Sequence, residues 1–236
     1  MAAVVCAGLL FAQTFGAPVS EPDDLGDAES PPVSDPLIGY NRTMFALNDG
    51  IYRIAVRPAS AEYEKVVPRP VRRGLENFFY NIRFPVRLAG SLLQAKIGRA
   101  ARETGRFLVN SILGLGGFIR VSDKIPVLAP EPIEDVGQAF GFWGIDPGPY
   151  LVLPLLGPSD IRDLFGRVGE YFLKPTEWEF DHYHDWRIRL TVQSLDVVQS
   201  TPELLREYDA FRVNAIDPYL GVRNAYLAHR AAEIRR

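Results

Sequence analysis

Seven prolines fall between residues 126 and 160. A proline inside a helix removes a backbone donor and clashes with the preceding turn, and inside a sheet it breaks the ladder. The middle of this 236-residue chain therefore excludes long regular elements, and the long elements have to lie on either side. Gly114-Leu115-Gly116-Gly117 closes the segment before it, since glycine enters left-handed backbone space without steric cost. Inside the Pro/Gly-rich middle, Tyr150 to Leu156 is an uncharged apolar run. It is either a buried extended segment or a loop that faces lipid.

The flanks read as helix. Met44, Leu47, Ile51 and Ile54 recur at helical steps over 41–56, and Pro58 is expected to end that run. Pro68 and Pro70 introduce a second helix with Val71, Leu75, Phe78 and Phe79 on one side. A third is predicted over 85–97. A fourth, over 99–113, sets Phe107, Leu108 and Ile112 against Arg99, Arg102, Glu103 and Arg106. Past the middle, Ser159 is the expected cap of a helix over 159–173 with Ile161, Leu164, Phe165, Val168 and Phe172 in register. Further helices are expected over 185–200 and 202–213, and Asp217-Pro218 begins the last. The fold class is all-α around an irregular Gly/Pro-rich middle.

Charge is distributed unevenly. Residues 1–35 hold six acids and no lysine or arginine, whereas 42–106 hold 13 basic and 5 acidic groups. The net charge of −3 argues against a nucleic-acid binder, and the single cysteine, Cys6, excludes an intrachain disulfide framework. Residues 1–17 match the apolar core of a signal peptide, and 18–35 read as an acidic Pro/Ser-rich tether. Residues 36–236 are the expected single helical domain. Cys6 is a candidate for lipidation, although Ala3-Val4-Val5 is a poor lipobox.

Catalytic patterns do not emerge. His182 and His184 stand two residues apart, His229 lies on an ordinary C-terminal helix, and no H-E-x-x-H, P-loop or G-x-S-x-G is present. Asp160 and Asp163 read as first-turn helix charges. With no nucleophile–base pair, the chain is expected not to be an enzyme and to need no metal or cofactor. Phe78-Phe79-Tyr80, Phe140-Gly141-Phe142-Trp143 and Pro149-Tyr150 put rings at helix ends or in loops, where they either pack a core or meet a membrane surface. No run is long enough to span a bilayer, so a lipid contact would be interfacial.

Six ordered sets of residues stand out along the chain: Asp35-Pro36-Leu37 with Gly39-Tyr40-Asn41-Arg42; Pro70-Val71-Arg72 and Asn77-Phe78-Phe79; Gly105 to Ser111 leading to the glycines at 114–117; Glu134-Asp135 and Gly137-Gln138; Trp143 to Ser159; and Asp217-Pro218-Tyr219 with Arg223 to Leu227. In this order they resemble the MlaA (VacJ) outer-membrane lipoproteins. Ile38 and Phe84 depart from the family's usual acidic residues. The resemblance implies a ring-like arrangement of mostly amphipathic interfacial helices on the periplasmic side of the outer membrane, in its inner leaflet. It implies an amphipathic channel that removes phospholipids mislocalised to the outer leaflet. The implied partners are phospholipids, an outer-membrane porin trimer and a soluble periplasmic lipid carrier (MlaC-like). An envelope scaffold that docks on a porin without moving lipid is the alternative. Asn41, Arg42, Asp135, Gln138 and Trp143 are the candidate channel or interface residues, with helix capping or a buried ion pair the other reading for Asn41, Arg42 and Asp135. Gly114, Gly116 and Gly117 are candidates for a flexible loop or an ordinary turn.

Overall fold

The computed structural model describes residues 35–175, 195, 208, 209, 212 and 215–235. Cys6, the tether up to residue 34, His182, His184, all but Leu195 of the helix expected over 185–200 and most of that expected over 202–213 lie outside the described residues.

Helix α1 (Ile38–Ile51) does not end before Pro58. It widens into a π-turn over Tyr52–Val56, where the Arg57 N–H reaches the Tyr52 carbonyl, and continues as α2 (Arg57–Val66) with Pro58 in its first turn. The wider turn accommodates a residue that has no N–H to donate and a ring that would strike the preceding turn. Helices α3 (Arg69–Ile82), α4 (Phe84–Leu93) and α5 (Ile97–Ile112) follow, α3 and α4 each opening on a proline as predicted. Two short 3₁₀ turns, Val121–Lys124 and Pro126–Leu128, lead to α6 (Val136–Phe142). The apolar run proves to be extended: β1 (Tyr150–Leu153) pairs antiparallel with β2 (Gly157–Asp160), Tyr150 opposite Asp160 and Leu153 opposite Gly157. Helix α7 (Ile161–Tyr171) is capped by Asp160, which accepts from the Asp163 N–H, in place of the expected Ser159. Asp217 caps α8 (Pro218–Ile234) as the sequence indicated.

The hairpin is held on α1 by two asparagines seven residues apart, hence on one face of the helix. Asn41 donates to the Tyr150 carbonyl at 3.0 Å and accepts from the Val152 N–H at 2.8 Å. Asn48 donates to the Leu153 carbonyl at 2.9 Å and accepts from the Leu155 N–H at 2.8 Å, fixing Leu155 in a left-handed conformation. Each side-chain amide thus replaces a peptide group of a missing third strand, satisfying backbone groups that a buried strand edge would leave unpaired. The apolar core is gathered here: Tyr150, Val152, Tyr219 and Tyr226 pack with Met44, Phe45, Leu220 and Leu227.

Elsewhere the polarity is inverted. Helix α5 buries Ala100, Glu103, Arg106 and Asn110 and exposes Ile97, Leu108 and Ile112. Helix α7 buries Arg162, Asp163, Gly166 and Glu170 and exposes Phe165, and Phe172 at its C-terminal cap is exposed too, 64% and 72% accessible. A Cβ on Gly166 would lie 2.5 Å from the Gly137 backbone nitrogen, so α6 and α7 cross at near backbone contact. That approach brings the polar stripe of α7 under α6.

Candidate functional site

Two polar networks fill the interior beneath this apolar surface. The first lies between α6, α7 and α8. Arg230 on α8 pairs with Asp135 at 2.6 Å, with Asp163 at 2.5 Å and with Glu233 at 2.8 Å. Tyr226, one turn earlier, donates to Asp163 at 2.6 Å, and Arg162 spans Asp160 and Asp163 at 3.4 and 3.3 Å. Glu170 accepts from the Val136 N–H. Burial raises the Asp163 carboxyl, but Arg230, Tyr226 and Arg162 outweigh it and hold the group below the usual range. Burial and the neighbouring Asp163 push Asp160 upward, and burial with Asp135 does the same to Glu170. The network separates carboxylates into a strongly ionised one and others whose charge is costly.

The second network joins the basic hairpin α4–α5 to the acidic strap at 123–134. Arg99 and Arg102 converge on Glu131 at 2.7 and 2.6 Å. Glu134 receives Gln94 at 2.6 Å, Lys96 at 2.9 Å and Arg99. Arg87 pairs with Glu103 at 2.7 Å, and Arg106, only 1% exposed, reaches Asp123 at 2.8 Å and the Leu128 carbonyl. The charge asymmetry of the sequence is thus an internal complementarity: the acidic strap neutralises much of the basic half.

The predicted site residues fall into different surroundings. Asn41 is fully buried under the hairpin and also donates to Asp35. Arg42 is half exposed, paired with Asp217 at 2.7 Å and stacked over the Tyr219 ring. Asp135 caps α6 through the Gln138 N–H as well as holding Arg230, and the Gln138 side chain is buried against the Ile133 carbonyl. Trp143 is 66% exposed, with its indole N–H donated to the Leu93 carbonyl at 2.7 Å. Gly114 and Gly117 sit where a Cβ would strike the Ile119 carbonyl and Asn81, at 2.1 and 2.5 Å, whereas Gly116 faces open space. The structure brings Asp135 and Gln138 together and closes Gly114 and Gly117 into one turn through a 3.2 Å backbone bond, while Asn41, Arg42 and Trp143 keep separate surroundings. Arg230, Tyr226 and Arg87 were not among the candidates, and Asp163, read as an ordinary first-turn charge, is buried at a junction of three helices. Nothing in the local sequence distinguishes these ionic groups from solvent-facing ones. Among the described residues, no group of side chains is placed to hold a metal ion.

The Asn41 grip supports a quantitative expectation. Asn41→Leu leaves the Tyr150 carbonyl and Val152 N–H buried and unpaired, which is expected to destabilise the protein by about 2–4 kcal/mol. Thermal unfolding in detergent, with Asn41→Asp as the variant retaining one acceptor, measures it.

A family model for the MlaA lipoprotein matches residues 33–233. The chain belongs to the MlaA lipoprotein family. The Escherichia coli K12 protein named intermembrane phospholipid transport system lipoprotein MlaA is 33% identical over 195 residues, covering 82% of this chain and 75% of that one. A Haemophilus influenzae protein of the same name is 29% identical over 197 residues, 82% and 76% of the two chains. A solved structure described as "Structural basis for maintenance of bacterial outer membrane lipid asymmetry" superposes with a TM-score of 0.71 at 30% identity, over 85% of this chain and 99% of that one. The helical fold is therefore the MlaA fold, and both polar networks and the apolar outer surface fall within the family match.

Proposed function

We propose that this protein is an outer-membrane component of phospholipid transport. In this role it provides an amphipathic path by which phospholipids mislocalised to the outer leaflet return to the periplasmic side, keeping the membrane asymmetric. The observation that carries the reading is the inverted polarity. Ile97, Ile112, Phe165 and Phe172 face outward while Glu103, Arg106, Asp163 and Glu170 are buried, an arrangement unfavourable in water and favourable where hydrocarbon surrounds the body. No helix among the described residues is long and apolar enough to cross a membrane. Helix α5, at 16 residues, extends about 24 Å, shorter than the hydrocarbon core. The body then lies within one leaflet, the inner leaflet on the periplasmic side.

Moving a charged headgroup through hydrocarbon is costly, and a polar route beside an apolar rim lowers that barrier without covalent chemistry. Family names support lipid handling within a transport system. The finer assignments are part of the proposal. A porin trimer scaffolds the protein, an MlaC-like carrier collects the lipid, and residues 36–236 act as one domain behind a tether, with Cys6 as its acylated end. Asn41, Arg42, Asp135, Gln138 and Trp143 support the channel or its interface, and Gly114, Gly116 and Gly117 form the turn beside it.

Deletion in a strain without a second homologue is expected to cause phospholipid accumulation in the outer leaflet, reversed by the wild-type chain. Intact asymmetry in that strain would count against transport. Restoration by a channel-blocked variant would favour a scaffold.

A further inference from the structure

Three arginines from separate parts of the chain converge on one ring. The Arg87, Arg120 and Arg106 guanidinium carbons lie 3.9, 4.6 and 5.9 Å from the Tyr80 centroid. Tyr80 is near the end of α3, Arg87 lies on α4, Arg106 on α5, and Arg120 just precedes the Val121–Lys124 turn. Arg87 and Arg106 are more than nine-tenths buried.

Their hydrogen bonding is incomplete in one place. Arg87 uses Nε on Glu103 and Nη1 on the Tyr80 carbonyl, while its Nη2 is buried without a partner. Arg106 uses Nη1 on the Leu128 carbonyl and Nη2 on Asp123, leaving Nε with Glu103 only at 3.8 Å. Arg120 has an orphaned Nε, and its carboxylate neighbour, Glu76, is 3.7 Å from Nη2, beyond hydrogen-bond reach. Buried guanidinium donors are costly to leave unmade, and planar guanidinium groups match the oxygens of a phosphate. Glu103 and Asp123 offset Arg87 and Arg106, so Arg120, partly exposed, is the cation through which an anion would enter.

Beside this polar cluster stands apolar surface. The 114–118 turn is moored to α3 by Asn81 donating to the Gly116 carbonyl and Asn77 to that of Phe118, and it presents exposed Leu115 and Phe118. Orphaned cationic donors next to exposed apolar side chains match an amphiphile with an anionic head.

We propose that Arg87, Arg106 and Arg120, gathered on Tyr80, bind the phosphate of a phospholipid headgroup while its chains lie along Leu115 and Phe118. The proposal rests on the transport reading and adds to it a specific station for the headgroup. The test uses the full chain extracted in detergent. Lipid phosphorus retained per protein is measured for wild type, Arg120→Gln and Tyr80→Leu, followed by titration with phosphatidylglycerol, diacylglycerol and inorganic phosphate.

Both variants are expected to retain about tenfold less phospholipid: Arg120→Gln loses one charge-assisted contact, and Tyr80→Leu loses the ring on which the guanidinium groups are stacked and positioned. Diacylglycerol is expected not to bind. Equal retention by wild type and Arg120→Gln, at unchanged melting temperature, overturns the site and leaves the transport reading standing. Wild-type protein that neither retains nor binds phospholipid overturns both. Binding of inorganic phosphate without phosphatidylglycerol overturns the lipid assignment. If Arg120→Gln fails to fold, Tyr80→Leu, which removes the ring but no charge, decides by the same measure.

Discussion

Arg230→Met is expected to destabilise the protein by about 3–5 kcal/mol, because it removes the cation from a buried group of carboxylates without removing the carboxylates. Asp135 and Asp163 both depend on Arg230, at 2.6 and 2.5 Å. For a chain of this size that corresponds to a fall of roughly 6–20 °C in melting temperature, measurable by circular dichroism in detergent. Its pH dependence identifies the cause. In the wild type the Asp163 carboxyl lies below its ordinary range: burial raises it, and Arg230 with its neighbours more than reverses that. Its stabilising contribution is therefore complete above the unfolded carboxylate pKa and is lost as pH falls through the depressed folded value. In Arg230→Met the largest lowering influence is gone, and burial then favours the protonated acid. The variant's deficit is expected to be greatest near neutral pH and to shrink on acidification. A deficit independent of pH would mean that Arg230 acts through packing alone.

Phe165→Glu combined with Phe172→Glu is expected to lower partitioning into lipid vesicles by about two to four orders of magnitude. The estimate follows from roughly 1.5–3 kcal/mol for each large apolar side chain withdrawn from hydrocarbon. Phe165 lies on the outer face of α7 and Phe172 directly follows its last residue, 64% and 72% exposed, and the buried stripe of that helix is untouched by the change. Stability in detergent is expected to shift by no more than about 1 kcal/mol, since exposed substitutions away from special contacts have small effects. Flotation of purified protein with liposomes, beside a thermal melt, separates the two quantities. Equal flotation of variant and wild type would show that α7 does not face the bilayer.

Local signals found most helix starts. Prolines 68, 70 and 85 and the Asp217-Pro218 pair act through the first turn alone, so they are readable from neighbours in sequence. Pro58 misleads because a π-turn absorbs it without ending the helix, and that depends on how the surrounding chain is held. Ser159 and Asp160 are both acceptable caps, and the hairpin register selects Asp160 by placing it at the end of β2. The functional blocks were legible as a family pattern, but the pattern does not separate residues that face lipid from residues that hold the fold. Asn41 illustrates this: its partners are 109 and 111 residues away, and only the folded chain shows that it completes a strand edge.

Periodicity and proline placement, properties of neighbouring residues, determined by themselves that this chain makes amphipathic helices around an irregular middle. They also determined that α5 and α7 each carry one apolar and one charged face. Which face turns inward was decided only by the tertiary structure. An amphipathic pattern is symmetric under exchange of inside and outside; the choice depends on whether the charged stripe finds partners within the fold. Here Glu131, Glu134 and Asp123 meet the arginines of α4 and α5, and Arg230 meets Asp163, so the charges are satisfied in the interior and the apolar faces are left for the surroundings.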